Sequence, residues 1–247
     1  MLMIGLFVFI VGTIFGSFFN VVIYRLPRKE SITTQRSHCP HCQAPIKALD
    51  LIPLVSFVLL KGRCRNCHSK ISLRYPLVEL LSGISYLLMY LQFKLTIPFF
   101  IGIALASILI IITMIDLDTM EINDRFQVAI FVLAIIYIFT QDVNIMDHLI
   151  GFFIISVPFY IIALVSNGLG GGDIKLIAMA GLLLGYRATF VAFLIAAVVG
   201  GVYAIYLLKQ GKSQKQAIAF GPYLCLGIFF AYLYGNQLLD WYLSLFI

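Results

Sequence analysis

The sequence predicts an all-α polytopic membrane protein, with about eight transmembrane helices and a small cytoplasmic zinc-binding insert after the first. Three observations predict it. The 247 residues are 62% hydrophobic and only 11% charged, which excludes an ordinary soluble domain. Apolar runs recur at lengths near the roughly 20 residues that cross about 30 Å of hydrocarbon. The third observation is a polar insert carrying two Cys-x-x-Cys pairs, Cys39-Pro-His-Cys42 and Cys64-Arg-Asn-Cys67, joined by 21 residues.

Residues 1–24 are apolar with no basic residue ahead of them, and Arg25, Arg28 and Lys29 follow. A cleavable signal peptide has the reverse order, so this segment reads as a transmembrane anchor whose N-terminus lies outside. Further spans are predicted at about 77–93, 97–115, 126–141, 148–167, 174–186, 188–208 and 220–246. In that topology 15 of the 17 Lys and Arg residues face the cytoplasm, leaving Lys94 and Arg187 outside, the imbalance that the positive-inside rule expects. The net charge of +6 then reflects topology and contact with anionic membrane lipid, and no nucleic-acid partner is expected. The chain divides into a first helix (1–24), a four-cysteine module (25–75) and a membrane core (76–247). Lys209 to Gln216 reads as a basic cytoplasmic linker anchoring the seventh span, and no internal repeat is evident.

Paired knuckles at this spacing hold one tetrahedral Zn²⁺ through four thiolates, the rival being two redox pairs. Thiolate ligands need a reducing compartment, which again places the insert in the cytoplasm. With Cys39, Cys42, Cys64 and Cys67 all committed, no coordination position stays open, so the zinc is structural. His38, His41 and His68 flank the knuckles, behind the ligands or exposed, with His41 the alternative to a cysteine as ligand, and Cys225 reads as a packing residue. The apolar stretch from Asp50 to Leu60 either packs on the metal module or lies along the membrane surface. Glu79, in the first turn of the second span, reads as stabilised by the helix dipole, the alternative being a polar role at the mouth of the site. His148 falls on the external side with no assigned role.

Carboxylates at membrane depth or at its edge are costly and are functional candidates. One group is Asp116-Leu-Asp118-Thr-Met-Glu121-Ile-Asn-Asp124, and the other is Gly168-Leu-Gly170-Gly171-Gly172-Asp173. Both fall at the cytoplasmic edge, although 57 residues separate Asp116 from Asp173. Two carboxylates at one face can form an aspartyl protease dyad, one deprotonating water while its protonated partner polarises the scissile carbonyl. Gly170, Gly171 and Gly172 allow a substrate backbone to approach closely and adopt conformations closed to other residues. The plainer reading is an interhelical loop with Asp173 as a helix N-cap. Asp118 points about 200° away from Asp116 on a helix. With Glu121 and Asp124 it forms either a solvated loop or an acidic surface for a basic substrate segment.

Together these segments resemble the type IV prepilin peptidase family, over nearly the whole chain. The likeness rests on Gly16-Ser-Phe-Phe-Asn through Pro27, Asp50-Leu-Ile-Pro53, both knuckles and Ile71-Ser-x-Arg-Tyr-Pro76-x-Val-Glu79. It continues through Ile115-Asp116-x-Asp118, Gly170-x-Gly172-Asp173 and Phe220-Gly-Pro-Tyr223. The resemblance implies that Asp116 and Asp173 are the catalytic pair of a protease in the bacterial cytoplasmic membrane. Its substrates would be prepilins or pilin-like subunits, cleaved just after a glycine at the cytoplasmic face. It further implies N-methylation of the new terminus with S-adenosylmethionine, for which no glycine-rich nucleotide fingerprint is present. The family commonly has Ile-Pro-Asp where this chain reads Ile122-Asn123-Asp124, and loss of the proline is expected to loosen the local backbone.

Rival readings from the residues alone are a transporter with midplane carboxylates, a scaffold using the zinc module to dock a partner, and a methyltransferase without proteolysis.

Overall fold

The computed structural model describes residues 2–34, 36–166, 170–210 and 219–246, among which all regular structure is helical. Two antiparallel bridges, His38 with Pro45 and Arg63 with Lys70, are isolated pairs. The chain forms two compact units, Met1–Ile111 and Ile112–Ile247. From residue 211 onward the predicted basic linker lies outside the described residues.

The first unit holds α1 (Leu2–Arg25), a 3-10 turn (Ala48–Leu51), the short α2 (Val55–Leu59), α3 (Arg74–Phe93) and the start of α4 (Ile97–Thr119). Two apolar helices gain nothing from the hydrophobic effect by meeting in lipid, so close packing and hydrogen bonds must join them. Helix α1 supplies the spacing for this in Gly12-x-x-x-Gly16. A Cβ on Gly12 would lie 2.8 Å from the Ser82 carbonyl oxygen, and one on Gly16 would lie 2.7 Å from Glu79 Cα. From the other side, a Cβ on Gly83 would meet Thr13 Cγ2 at 2.7 Å. The small hydroxyls in the seam bond within their own helices, Thr13 to the Ile10 carbonyl and Ser82 to the Val78 carbonyl, both at 2.8 Å. Asn20 crosses the seam, donating to the Tyr75 carbonyl at 3.1 Å. Helix α3 meets α4 through a 2.9 Å hydrogen bond between the Tyr86 and Ser107 hydroxyls.

The second unit contains the end of α4, then α5 (Asp124–Thr140), α6 (Ile145–Ile154), α7 (Ser156–Ser166), α8 (Gly171–Leu184), α9 (Tyr186–Lys209) and α10 (Gly221–Ser244). Helix α8 is its centre, contacted by α5, α6, α7, α9 and α10. Leu176, Ile177 and Ala180 on it have no exposed surface. At 14 residues it runs only about 21 Å, short of the ~30 Å hydrocarbon layer. The break between α6 and α7 at Ile155 has a local cause in Pro158, which offers no N–H to the Ile154 carbonyl. Gly151 of α6 and Gly181 of α8 touch backbone to backbone, and Gly227 of α10 rests on Ala192 of α9 in the same way. His148, to which the sequence assigns no role, is buried with Nδ1 2.8 Å from the Leu182 carbonyl, tying α6 to the end of α8.

Five described stretches are long and apolar enough to cross a membrane: α1, α3, α4, Ile145–Val165 and α9. Helices also fill the three remaining predicted segments, as α5, α8 and α10. Replacing Gly16 by Val is expected to destabilise the protein by about 1–3 kcal/mol, because the added carbons strike α3 backbone. Gly201→Ala, where a Cβ meets nothing within 4 Å, should be neutral or slightly stabilising. Equilibrium unfolding in mixed micelles measures both.

Candidate active site

Asp116 lies in the last turn of α4, where Met120 N–H closes on its carbonyl at 2.9 Å. Its side chain points inward and is 4% exposed. Asp173 is not the N-cap of α8. Gly170 is, and Asp173 is the third helical residue, 9% exposed. From there its carboxylate turns back onto the Gly170 backbone N–H, half of the reciprocal arrangement that caps many helices. The Asp116 carboxylate lies against the backbone N–H of Gly221 at the start of α10, where a Cβ would stand 2.5 Å from Oδ2. The remaining oxygens, Asp116 Oδ2 and Asp173 Oδ1, are buried without a hydrogen-bond partner. The two carboxylates act on each other electrostatically. Helix packing in the second unit therefore brings together the pair that sequence places 57 residues apart.

Ile122 spans the space between the starts of α8 and α10. A Cβ on Gly172 would lie 3.0 Å from Ile122 Cβ, and one on Gly221 would lie 3.3 Å from Ile122 Cδ1. Buried Gln127 of α5 braces this end of α8, donating to the Gly172 carbonyl at 3.2 Å. Lys175 binds Asp124 at 2.8 Å on the exposed side of the same junction. Cys225, one turn along α10 from Gly221, is buried with its thiol beside the Thr113 side chain.

None of the three glycines adopts a positive φ: Gly170 sits at −70°, and Gly171 and Gly172 are helical. What they supply is space, most plainly at Gly171, where a Cβ would meet nothing within 4 Å. Asp118 and Glu121 are exposed, the first on the last turn of α4 and the second between α4 and α5. Asn123 does not loosen the chain. It takes φ −71°, an angle proline also favours, and its side chain caps α5 by accepting Arg125 N–H at 3.0 Å.

In the first unit the four cysteine sulfurs converge, all within 4.8 Å of one another. Four ligands at about 2.3 Å from a central ion stand about 3.8 Å apart, and Cys39 Sγ lies 3.8 Å from Cys67 Sγ. This fits a single tetrahedral ion. The knuckles prove to be a short repeat offset by 25 residues. Cys39 N–H bonds the Ala44 carbonyl and Cys64 N–H that of Ser69; Gln43 closes on Cys39 as His68 does on Cys64; Ile46 bonds Ser37 as Ile71 bonds Gly62. Gln43 and His68 share a left-handed φ, 58° and 56°. The Cys42 backbone N–H draws the Cys39 thiol down to about 6 against opposing burial, so this sulfur is largely thiolate at neutral pH. Ser69 and Asn66 add contacts to Cys67 and Cys42 at 3.1 and 3.7 Å. None of the flanking histidines joins the cluster.

The stretch between the knuckles is fastened at both ends. Arg65, inside the second knuckle, grips Asp50 through two nitrogens at 2.9 and 2.6 Å, which holds the Asp50 carboxyl below its usual range. Leu54 N–H donates to Glu79 at 2.8 Å, so buried Glu79 acts as an acceptor for the insert and not merely as a partner of the α3 dipole. Leu49, Val58 and Leu59 of this stretch are exposed.

Residues 10–93 match the bacterial peptidase A24 N-terminal domain, and residues 103–205 match the type IV leader peptidase family. The chain is 32% identical over 243 residues to the prepilin leader peptidase/N-methyltransferase of Bacillus subtilis (strain 168), covering 96% of this chain and 97% of the relative. It is 33% identical over 276 residues to the protein of that name from Legionella pneumophila, covering 98% and 94%. No solved structure matches the chain.

Proposed function

Because the chain belongs to the type IV leader peptidase family, we propose that it is a membrane aspartyl endopeptidase that removes the leader from prepilins or pilin-like subunits. The observation that carries this reading is the buried pair Asp116 and Asp173, each with one oxygen on a helix-start N–H and the other without a partner. Two such carboxylates share one proton. The ionised member takes a proton from water, whose oxygen attacks the scissile carbonyl, while the protonated member donates to that carbonyl's oxygen. A prepilin suits the setting, since its apolar helix rests in the bilayer while its basic leader stays in water.

The finer topology belongs to the same proposal: eight crossings, the N-terminus outside, and the dyad and insert at the cytoplasmic side of the bacterial cytoplasmic membrane. The charge distribution along the sequence supports it. N-methylation of the new terminus with S-adenosylmethionine is supported by the relatives' names. No glycine-rich nucleotide fingerprint marks a site for that donor in the sequence. Cys39, Cys42, Cys64 and Cys67 would hold a structural Zn²⁺, whose contribution is to fold an insert with little apolar core.

Mass spectrometry of a prepilin-like substrate incubated with the protein in lipid tests the activity, with S-adenosylmethionine present or omitted. Asp116→Asn and Asp173→Asn should each slow leader removal by about 10²–10⁴-fold, and a methyl group should appear only with the donor. Unimpaired cleavage by either variant would remove that aspartate from the catalytic pair.

Cys64→Ser is expected to lose one equivalent of zinc and most of the folded protein together, read by metal analysis and yield after purification. A metal-free variant with full abundance and activity would contradict the structural role.

Asp118, Glu121 and Asp124 are proposed to face the basic leader, the first two exposed and the third shared with Lys175. Neutralising all three should raise KM more for a leader rich in lysine than for one with fewer positive charges. Equal effects on both leaders would sink this assignment.

A further inference from the structure

Helix α10 opens with Phe220-Gly221-Pro222-Tyr223, a segment that the peptidase reading leaves without a task. The first four N–H groups of a helix have no intrahelical partner and must be used elsewhere. Here Pro222 has none, while Tyr223 and Leu224 N–H both turn back to the Phe220 carbonyl, at 3.1 and 3.2 Å. Gly221 N–H likewise has no intrahelical partner, and it faces the Asp116 carboxylate. The same residue has no side chain where one would be most obstructive. A Cβ at 221 would stand 2.5 Å from Asp116 Oδ2, the buried oxygen without a partner, and 3.0 Å from the carboxyl carbon.

We propose that Gly221 is a positioning residue for Asp116: its N–H anchors the carboxylate, and its missing side chain keeps open the space occupied by Oδ2. The proposal rests on the reading of Asp116 and Asp173 as the catalytic pair. It predicts a failure of turnover and not of substrate binding, because Gly221 acts through the carboxylate. Displacement of a reacting group by an ångström costs on the order of 10²-fold in rate.

Four proteins in lipid nanodiscs decide it: wild type, Gly221→Ala, Gly201→Ala, and a chain with glycolic acid at position 221, which replaces the N–H by an ester oxygen and adds no side chain. The ester removes no intrahelical bond, so its fold is not threatened even where the alanine variant is unstable. With a prepilin-like substrate, Gly221→Ala should lower kcat about 100-fold with KM within twofold, and the ester should lower kcat about tenfold. Gly201→Ala should match wild type. Isotope-edited infrared spectra of carboxyl-labelled aspartate, with the Asp116 band identified by its loss in Asp116→Asn, read the anchor without any substrate. That band should shift in the ester.

An unmoved Asp116 band overturns the proposal whether or not the protein proves to be a peptidase. So does a folded Gly221→Ala that keeps kcat within threefold of wild type. Full recovery of Gly221→Ala by adding Ile122→Ala would overturn it as well, since the injury would then be crowding of Ile122 and not displacement of Asp116. Absent cleavage by wild type, with the band shifted, would break the peptidase reading and leave the anchor standing.

Discussion

A carboxylate taken out of water loses solvation worth several kcal/mol unless hydrogen bonds replace it, and the second unit buries two in one place. The described residues offer neither of them a basic side chain, and Lys175 is committed to Asp124 at the surface. What they receive instead is backbone: Gly170 N–H for Asp173 and Gly221 N–H for Asp116. Both donors stand at helix starts, where N–H groups are spare and the helix dipole favours negative charge. A fixed cation would neutralise the pair outright. A single N–H on each holds the groups in place while leaving one oxygen of each for chemistry.

That solution demands that three helix ends meet, and the packing of the second unit supplies the meeting. Helix α8 is too short to behave as an independent span and is wrapped by five neighbours. Its depth is fixed by backbone contact with α6 at Gly151 and Gly181, and its site end is braced by Gln127. Helix α10 is held against α9 by a seam of small residues, with a Cβ on Gly235 reaching within 2.8 Å of Ala188 Cβ. Rigid neighbours of this kind limit how far the Gly170 and Gly221 amides can drift from the carboxylates they hold.

How much of this could be read from the sequence differs by residue. Asp116 and Asp173 stood out because ionisable groups are rare in apolar segments, and the cysteines because their spacing is chemically specific. Five of the predicted spans are legible because apolar run lengths carry that information directly, whereas the shorter or more polar α5, α8 and α10 are helices whose crossing run length alone does not establish. Gln127, Ile122, Gly221 and the Cys225–Thr113 contact went unread, since their roles depend on which helix faces which, and hydrophobic periodicity is silent where every face is apolar. Asn123 was misread for a different reason. Loss of a proline suggested a looser backbone, but the same φ is kept and a side-chain cap is gained. The knuckle repeat was hidden because it lives in backbone hydrogen bonds and a shared left-handed residue, while only the cysteines and a following isoleucine repeat in sequence.

The insert solves a problem opposite to that of the dyad. The stretch from the 3-10 turn through α2 buries none of the residues of either element, so hydrophobic collapse cannot fold it, and convergence of four sulfurs supplies the constraint instead. A metal knot alone would leave the apolar stretch between the knuckles free to wander. Arg65 on Asp50 ties that stretch to the second knuckle, and Glu79 on Leu54 N–H ties it to α3. Leu54 adopts a left-handed φ of 60° at that bond, a conformation a leucine seldom takes without outside support. Glu79 lies little more than one turn inside α3, so the bond holds Leu54 beside the end of a membrane span, and the exposed Val58 and Leu59 are carried on the same short stretch.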